Sequence, residues 1–129
     1  HISPILSARQ LRETIESLAS ALTPIVGEEK LQAMYGWGCH LHPELCYIPV
    51  RVGCSWLDRF VQESLQQEIV VPGESDFIFI VGEDALEIEF CHEGHIHVSG
   101  TNQKLIARLL ATPEFGIPFG LGASLESDA

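Results

Sequence analysis

Asp76-Phe77-Ile78-Phe79-Ile80-Val81-Gly82-Glu83-Asp84-Ala85-Leu86-Glu87-Ile88-Glu89-Phe90-Cys91-His92-Glu93-Gly94-His95-Ile96-His97-Val98-Ser99-Gly100 is the stretch that decides the fold. From Leu86 onward apolar and polar residues alternate, the period of a half-buried strand rather than the 3.6 of a helix. Three strands are expected, Phe77 to Val81, Leu86 to Cys91 and His95 to Ser99. Their connections are too short for crossover helices, so the strands must pair antiparallel as a meander. In the second strand Leu86, Ile88 and Phe90 point one way and Glu87, Glu89 and Cys91 the other. In the third, Ile96 and Val98 oppose His95, His97 and Ser99, so one face is core and the other wet. A loop of His92-Glu93-Gly94, with Gly94 left-handed, keeps this parity and sets Cys91 against His95 and Glu89 against His97. A loop of Glu93-Gly94 alone would pair Phe90 with His97 and mix the faces.

Working outward, Ser7 is an N-cap for an amphipathic helix that buries Leu11, Ile15, Leu18 and Leu22 and ends near Pro24. Glu28 to Tyr35 reads as a short second helix closed by Gly36, and residues 36–46 as loop. Tyr47 to Val52 reads as a short strand that Pro49 confines to an edge or a strand end. Ser55, with Asp58 behind it, caps a second main helix whose stripe is Trp56, Phe60, Val61, Leu65 and Ile69, ending at Pro72-Gly73. Thr101 caps a last helix that buries Leu105, Ile106, Leu109 and Leu110 and stops at Thr112-Pro113. The expected fold class is α+β: a single compact domain over residues 1–115, with a three-stranded, at most four-stranded, antiparallel meander packed on three main helices. Residues 116–129 form a tail containing Gly and Pro whose end is expected to be mobile.

The meander also carries the charge. Between Phe60 and Gln103 there are nine acids and no Lys or Arg, within a chain of formal net charge −11. With only seven basic residues, the chain lacks the cationic patch that nucleic acid or an anionic membrane requires, and neither is an expected ligand. Hydrophobic content of 46% sets it apart from disordered acidic chains, so the acids sit on a folded surface and attract a basic protein partner. The expected contact residues are Glu83, Asp84, Glu87, Glu89 and Glu93. Trp37, between two glycines, joins them as an aromatic anchor even though a tucked position is the commoner fate of such a residue, whereas Trp56 is expected in the core. No apolar run is long enough to span a membrane and the start lacks the layout of a signal peptide. Cys39, Cys46, Cys54 and Cys91 match no secreted disulfide framework, so free thiols in a cytoplasmic protein are expected.

Thiol and imidazole concentrate in two clusters, Cys39-His40-Leu41-His42 with Cys46, and Cys91-His92 with His95 and His97. Zinc held by Cys91, His95 and His97, with Glu89, is the alternative reading, because alternate strand positions project from one face. Neither cluster has the spacing of an established zinc module, and cross-strand pairing of the histidines with glutamates is preferred, with no cofactor. A cysteine nucleophile at Cys91, served by His95 or His40, is opposed by the surrounding acids, which disfavour thiolate; no catalytic residue is assigned.

Through Leu86-Glu87-Ile88-Glu89-Phe90-Cys91-His92-Glu93-Gly94-His95-Ile96-His97-Val98, together with its size and acidity, the chain resembles the small acidic immunity proteins encoded beside bacterial polymorphic toxins. The resemblance implies a cytoplasmic, non-catalytic, single-domain inhibitor that covers a basic effector or toxin, often a nuclease, with acidic and aromatic side chains. A chaperone or adaptor for a secreted protein is a further alternative.

Overall fold

In the computed structural model, which describes residues 1–120, the chain runs α1 (Ala8–Glu16), α2 (Leu18–Val26), β1 (Leu31–Tyr35), a 3-10 turn (Pro43–Leu45), β2 (Val50–Arg51) and α3 (Cys54–Gln66). It continues as β3 (Phe77–Val81), β4 (Leu86–Phe90), β5 (Ile96–Ser99), α4 (Gln103–Leu110) and α5 (Pro113–Gly116). The fold is α+β, with one five-stranded sheet in the order β2-β1-β3-β4-β5 and every pair antiparallel. The meander β3-β4-β5 has the register that parity demands: Ile78 faces Glu89, and Glu89 faces His97. Gly94 is left-handed at φ 94°, and the Cys91 N–H donates to the His95 carbonyl at 2.9 Å, closing the loop His92-Glu93-Gly94.

One sheet face contributes Leu31, Ala33, Phe77, Phe79, Val81, Leu86, Ile88, Phe90, Ile96 and Val98 to the same core as Leu11, Ile15, Leu18, Leu22, Leu57, Val61, Leu65, Ile106 and Leu109 from the helices. The other face aligns Arg51, Gln32, Ile80, Glu87 and Ser99 in one row and Met34, Ile78, Glu89 and His97 in the next. The N-terminal segment lies along β5: the Ser3 N–H donates to the Ile96 carbonyl at 2.9 Å and the Val98 N–H to the His1 carbonyl at 2.8 Å. That side of the sheet is therefore covered.

Several expectations are corrected. The meander is the middle of five strands rather than the whole of three or four, because Leu31–Tyr35 is a strand and not the short helix expected there. Leu31 to Met34 are good helix formers, but Leu31 and Ala33 are buried while Gln32 and Met34, on the other face, are half-buried, and full pairing with β3 overrides local propensity. The expected first helix is broken at Ser17, whose N–H is shared among the carbonyls of Glu13, Thr14 and Ile15, and its second half runs through Pro24 to Val26. With α3, α4 and the short α5, the helices exceed the expected three.

In α3 the buried positions are Leu57, Val61, Ser64 and Leu65, a stripe one residue out of phase with the expected one, so Trp56 is exposed rather than core. Its N-cap is Gly53, not Ser55, and the helix ends at Gln66, where Glu68 turns left-handed at φ 56° and the Ile69 and Val70 N–H groups bond back to the Ser64 carbonyl. Asn102, not Thr101, caps α4 by accepting from the Lys104 and Leu105 N–H groups. Phe115 is fully buried in α5 and Phe119 packs against the core. Residues 121–129, and with them the expected mobile end, lie outside the described residues.

Ile88 sits at 0% exposure in the middle of the meander, and its truncation leaves a cavity. Ile88→Ala is expected to cost about 2–5 kcal/mol. Trp56→Ala, at a residue that is 59% exposed, is expected to cost less than about 1 kcal/mol. Urea unfolding of both variants checks the assignment of core, and a larger loss at Trp56 than at Ile88 would overturn it.

Candidate functional site

The two thiol-imidazole clusters meet around a residue that sequence reading counted only as one acid among nine. Asp76 immediately precedes β3 and is buried, at 6% exposure. Its Oδ1 accepts the His92 N–H at 2.7 Å and is 2.8 Å from His92 Nδ1, while its Oδ2 accepts the Tyr47 hydroxyl at 3.4 Å. Its backbone is tied as firmly: the Gly36 N–H donates to the Asp76 carbonyl and the Asp76 N–H to the Trp37 carbonyl, each at 2.8 Å, and the Cys39 thiol donates to the Asp76 carbonyl at 3.3 Å. A buried carboxylate needs this many donors to offset its lost hydration. The loop after β1, the start of β3 and the β4–β5 turn are thereby clasped at one point.

Gly36-Trp37-Gly38 now has a physical reason. A Cβ on Gly36 would come within 2.7 Å of the Asp76 Cβ, and one on Gly38, which is left-handed at φ 80°, would collide with the Glu74 carbonyl oxygen. Only glycine lets the loop close onto residues 74–76, and that closure presents Trp37 at the surface, 59% exposed. The tucked position expected for Trp37 is thus not the one adopted. Its indole lies against the His92 ring with centroids 4.4 Å apart, and the Trp37 backbone N–H donates to the Tyr47 hydroxyl at 3.2 Å. Tyr47 is itself held at φ 62°, a costly conformation for a bulky residue, with its N–H on the Tyr35 carbonyl.

Because a carboxylate only accepts, His92 Nδ1 carries its hydrogen toward Asp76 and Nε2 faces outward, 3.7 Å from Glu93 Oε1. The neighbour of this oriented imidazole is a carboxylate, not a hydroxyl or thiol. An exposed indole beside an acid and an imidazole favours contact with a cationic or amphipathic side chain.

The sequence-picked acids fall along β4. Glu83 and Asp84 are exposed in the turn before it, Glu87 and Glu89 are half-buried on its outer face, and Glu93 is exposed in the turn after it, beside His92. They form one line that ends at Trp37. Burial, followed by the charge of Asp76, pushes the Glu89 carboxyl above the usual glutamate range, with His97 across the strand opposing the shift.

Cys91, His95 and His97 are near one another but engaged otherwise. The His95 N–H donates to Cys91 Sγ at 3.4 Å, His95 Nδ1 donates to the Ser3 carbonyl at 2.9 Å, and the His95 and His97 rings stand edge to face at 6.0 Å. Among the described residues no group of three or more His, Cys, Asp or Glu side chains is arranged to hold a metal ion. All four cysteines are free thiols. Burial pushes the Cys39 thiol up to about 11, the opposite of what a nucleophile needs.

Asp76, Tyr47 and His92 were missed as site residues. The only signal available was their company: an acid at the mouth of a strand, and a Cys-His pair next to the hairpin loop. A larger hollow of about 590 Å3, walled by residues 4–6, α1 and residues 113–120, contains none of these side chains. No helix among the described residues is long and apolar enough to cross a membrane. Comparison of the chain with protein-family models, with curated proteins and with solved structures finds no match.

Cys46 and Cys54 are half-exposed whereas Cys39 and Cys91 are buried, so a thiol reagent at pH 8 is expected to modify Cys46 and Cys54 rapidly, and all four only after unfolding. At that pH about one Cys39 in a thousand would be thiolate even if reached. Fast labelling of Cys39 would contradict this packing.

For Glu89, a folded carboxyl that titrates above the unfolded one takes up a proton more readily when folded. Its contribution is therefore most favourable below about pH 4.3, the unfolded value, and is lost as pH rises through the folded value. Glu89→Gln removes the charge at every pH. It is expected to raise the melting temperature at pH 7, with the gain shrinking toward pH 4; a gain independent of pH would assign it to packing instead.

Proposed function

We propose that this chain is a non-catalytic protein-binding domain of the immunity type, which neutralises a basic effector or toxin. The observation that carries the reading is Trp37: 59% exposed, held in place by glycines and by the Asp76 clasp, and set beside His92 and Glu93 at the end of the acid line on β4. A large exposed indole whose surroundings are already ordered costs little entropy on association, which is the quality of an interface anchor. Glu83, Asp84, Glu87, Glu89 and Glu93 supply a field of one sign, because no Lys or Arg interrupts residues 60–103. Charge of this kind accelerates encounter with a basic partner and rejects acidic ones, while Trp37 holds the complex once formed. The resemblance of the meander to immunity proteins agrees with this division of labour. The location of such an inhibitor is the cytoplasm, where a toxin's own producer must be protected.

Zinc at Cys91, His95 and His97 is the competing reading, and it lacks a geometric observation of its own in its favour. Elemental analysis of protein purified without chelator decides between them, since a zinc ion bound by every chain would displace the interface reading of the meander.

The proposal is tested by immobilising the chain, identifying captured proteins by mass spectrometry, and measuring binding of the one recovered. The expected partner is basic, is released by high salt, and binds Trp37→Ala about tenfold or more weakly through faster dissociation. Glu87→Lys with Glu89→Lys is expected to slow association instead. A partner whose affinity ignores salt and tolerates both sets of changes would refute the assignment of this surface.

A further inference from the structure

The two edges of the sheet are not alike. The β5 edge is covered by the N-terminal segment, through Ser3 to Ile96, His1 to Val98 and the bridge between Ile2 and His97. Among the described residues no further strand lies beyond β2. Val52 N–H donates to the Leu31 carbonyl at 3.0 Å and Val50 sits opposite Ala33, so antiparallel alternation directs the N–H and C=O of Arg51 away from β1. Among the described residues no other segment bonds to them, and no hydrogen bond or ion pair engages the Arg51 guanidinium.

Side chains continue the contrast. Val50 and Val52 share the helix-facing parity of the sheet, and between β2 and α3 a cavity of about 420 Å3 is lined by Val50, Arg51, Val52, Trp56 and Phe60, with Arg59 and Glu63 beside it. Trp56 forms part of its wall at 59% exposure, with the Arg59 guanidinium 5.3 Å from its ring. The layer between sheet and helices thus stays open where a further strand would close it. By register Arg51 stands in the outer-face row of Gln32 and Ile80, at the rim of the cavity that it also borders.

From this geometry we infer that the β2 edge takes up one extended segment of a partner protein in which apolar and acidic residues alternate. The residue beside Arg51 exchanges both backbone hydrogen bonds with it and shares its outer face, where an acidic side chain pairs with the guanidinium. The flanking residues of that segment point the other way, into the cavity between Val50, Trp56 and Phe60, and there an apolar side chain is required. Pro49, just before β2, has no N–H to offer, which leaves Arg51 as the residue of β2 through which the pairing is made.

A second copy of this chain fits the edge poorly. Two-fold pairing through the outward groups of Arg51 sets Arg51 opposite its own copy, like charge against like, between two chains of net charge −11 each. This surface is separate from the Trp37 site and does not depend on it.

The test is a nuclear magnetic resonance titration of isotope-labelled protein with a capped octapeptide alternating Ile and Glu, beside a control alternating Ile and Lys. Saturable shifts are expected at the Val50, Arg51 and Val52 amides and at the Trp56 indole, with the Lys peptide about fivefold weaker. Arg51→Glu, at an exposed position, is expected to invert that preference, and Trp56→Ala to weaken both peptides while keeping their order. The inference is overturned if β2 does not respond, if neither peptide is preferred, or if Arg51→Glu leaves the preference unchanged. A dimer in sedimentation with β2 amides already protected would equally overturn it, in favour of a second copy.

Discussion

Strict alternation of side chains along β4 and β5 is the constraint on which the rest of the molecule depends. A slip of one residue between β3 and β4, with β5 following β4, would turn Glu87, Glu89 and His97 into the core and Ile88 and Val98 into water. The loop His92-Glu93-Gly94 enforces the correct register at one end, since Gly94 takes a left-handed conformation that other residues resist. Once that register is set, β3 is sandwiched between β4 and β1, and its near-continuous apolar run finds partners on both sides. The helices then have one apolar face to cover, and their stripes of Leu, Ile and Val merge with it into a single core.

The Asp76 clasp is a consequence of that sheet. Asp76 sits one residue before β3 and His92 two residues after β4, so pairing Phe77 with Phe90 brings the two together at the same end of the sheet. The loop after β1 reaches the same end because Tyr35 pairs with Phe77. Three segments distant in sequence are therefore delivered to one place by backbone pairing, and the carboxylate joins them through side-chain and main-chain bonds. A loop rich in exposed residues, Trp37 through Val50, is in this way held in a defined shape at both ends, as a recognition surface requires.

Electrostatics divides the surface. The acids of β4 and its turns lie on the meander, whereas Arg51 and Arg59 lie at the β2 side, beyond β1 and β3. The Arg59 charge is shared with Glu63 at 3.0 Å, whereas among the described residues no ion pair engages Arg51. A domain of one net sign thus offers two regions of different local chemistry, one suited to a basic surface and one to a short apolar and acidic strand.

How much of this was legible in the residues depends on the range of the interaction. Period-two alternation, the Gly94 turn and the capping residue Ser7 act over a few positions, and the meander, its register and the first helix start could be read from them directly. The acid line on β4 was readable for the same reason, because charges on one strand share a face by geometry alone. Residues 31–35 were misread because their local propensity is helical and only the waiting edge of β3 makes them a strand. Trp56 was misplaced because several helical stripes fit α3, and the sheet beneath decides which of them is buried. Asp76, Tyr47 and His92 were missed because nothing in their spacing links them. The sequence by itself determined the fold class, the meander and the sign of the surface, since these follow from alternation and composition. The clasp, the exposure of Trp37 and the open β2 edge were decided by tertiary structure alone, since each depends on contacts between segments that chain order keeps apart.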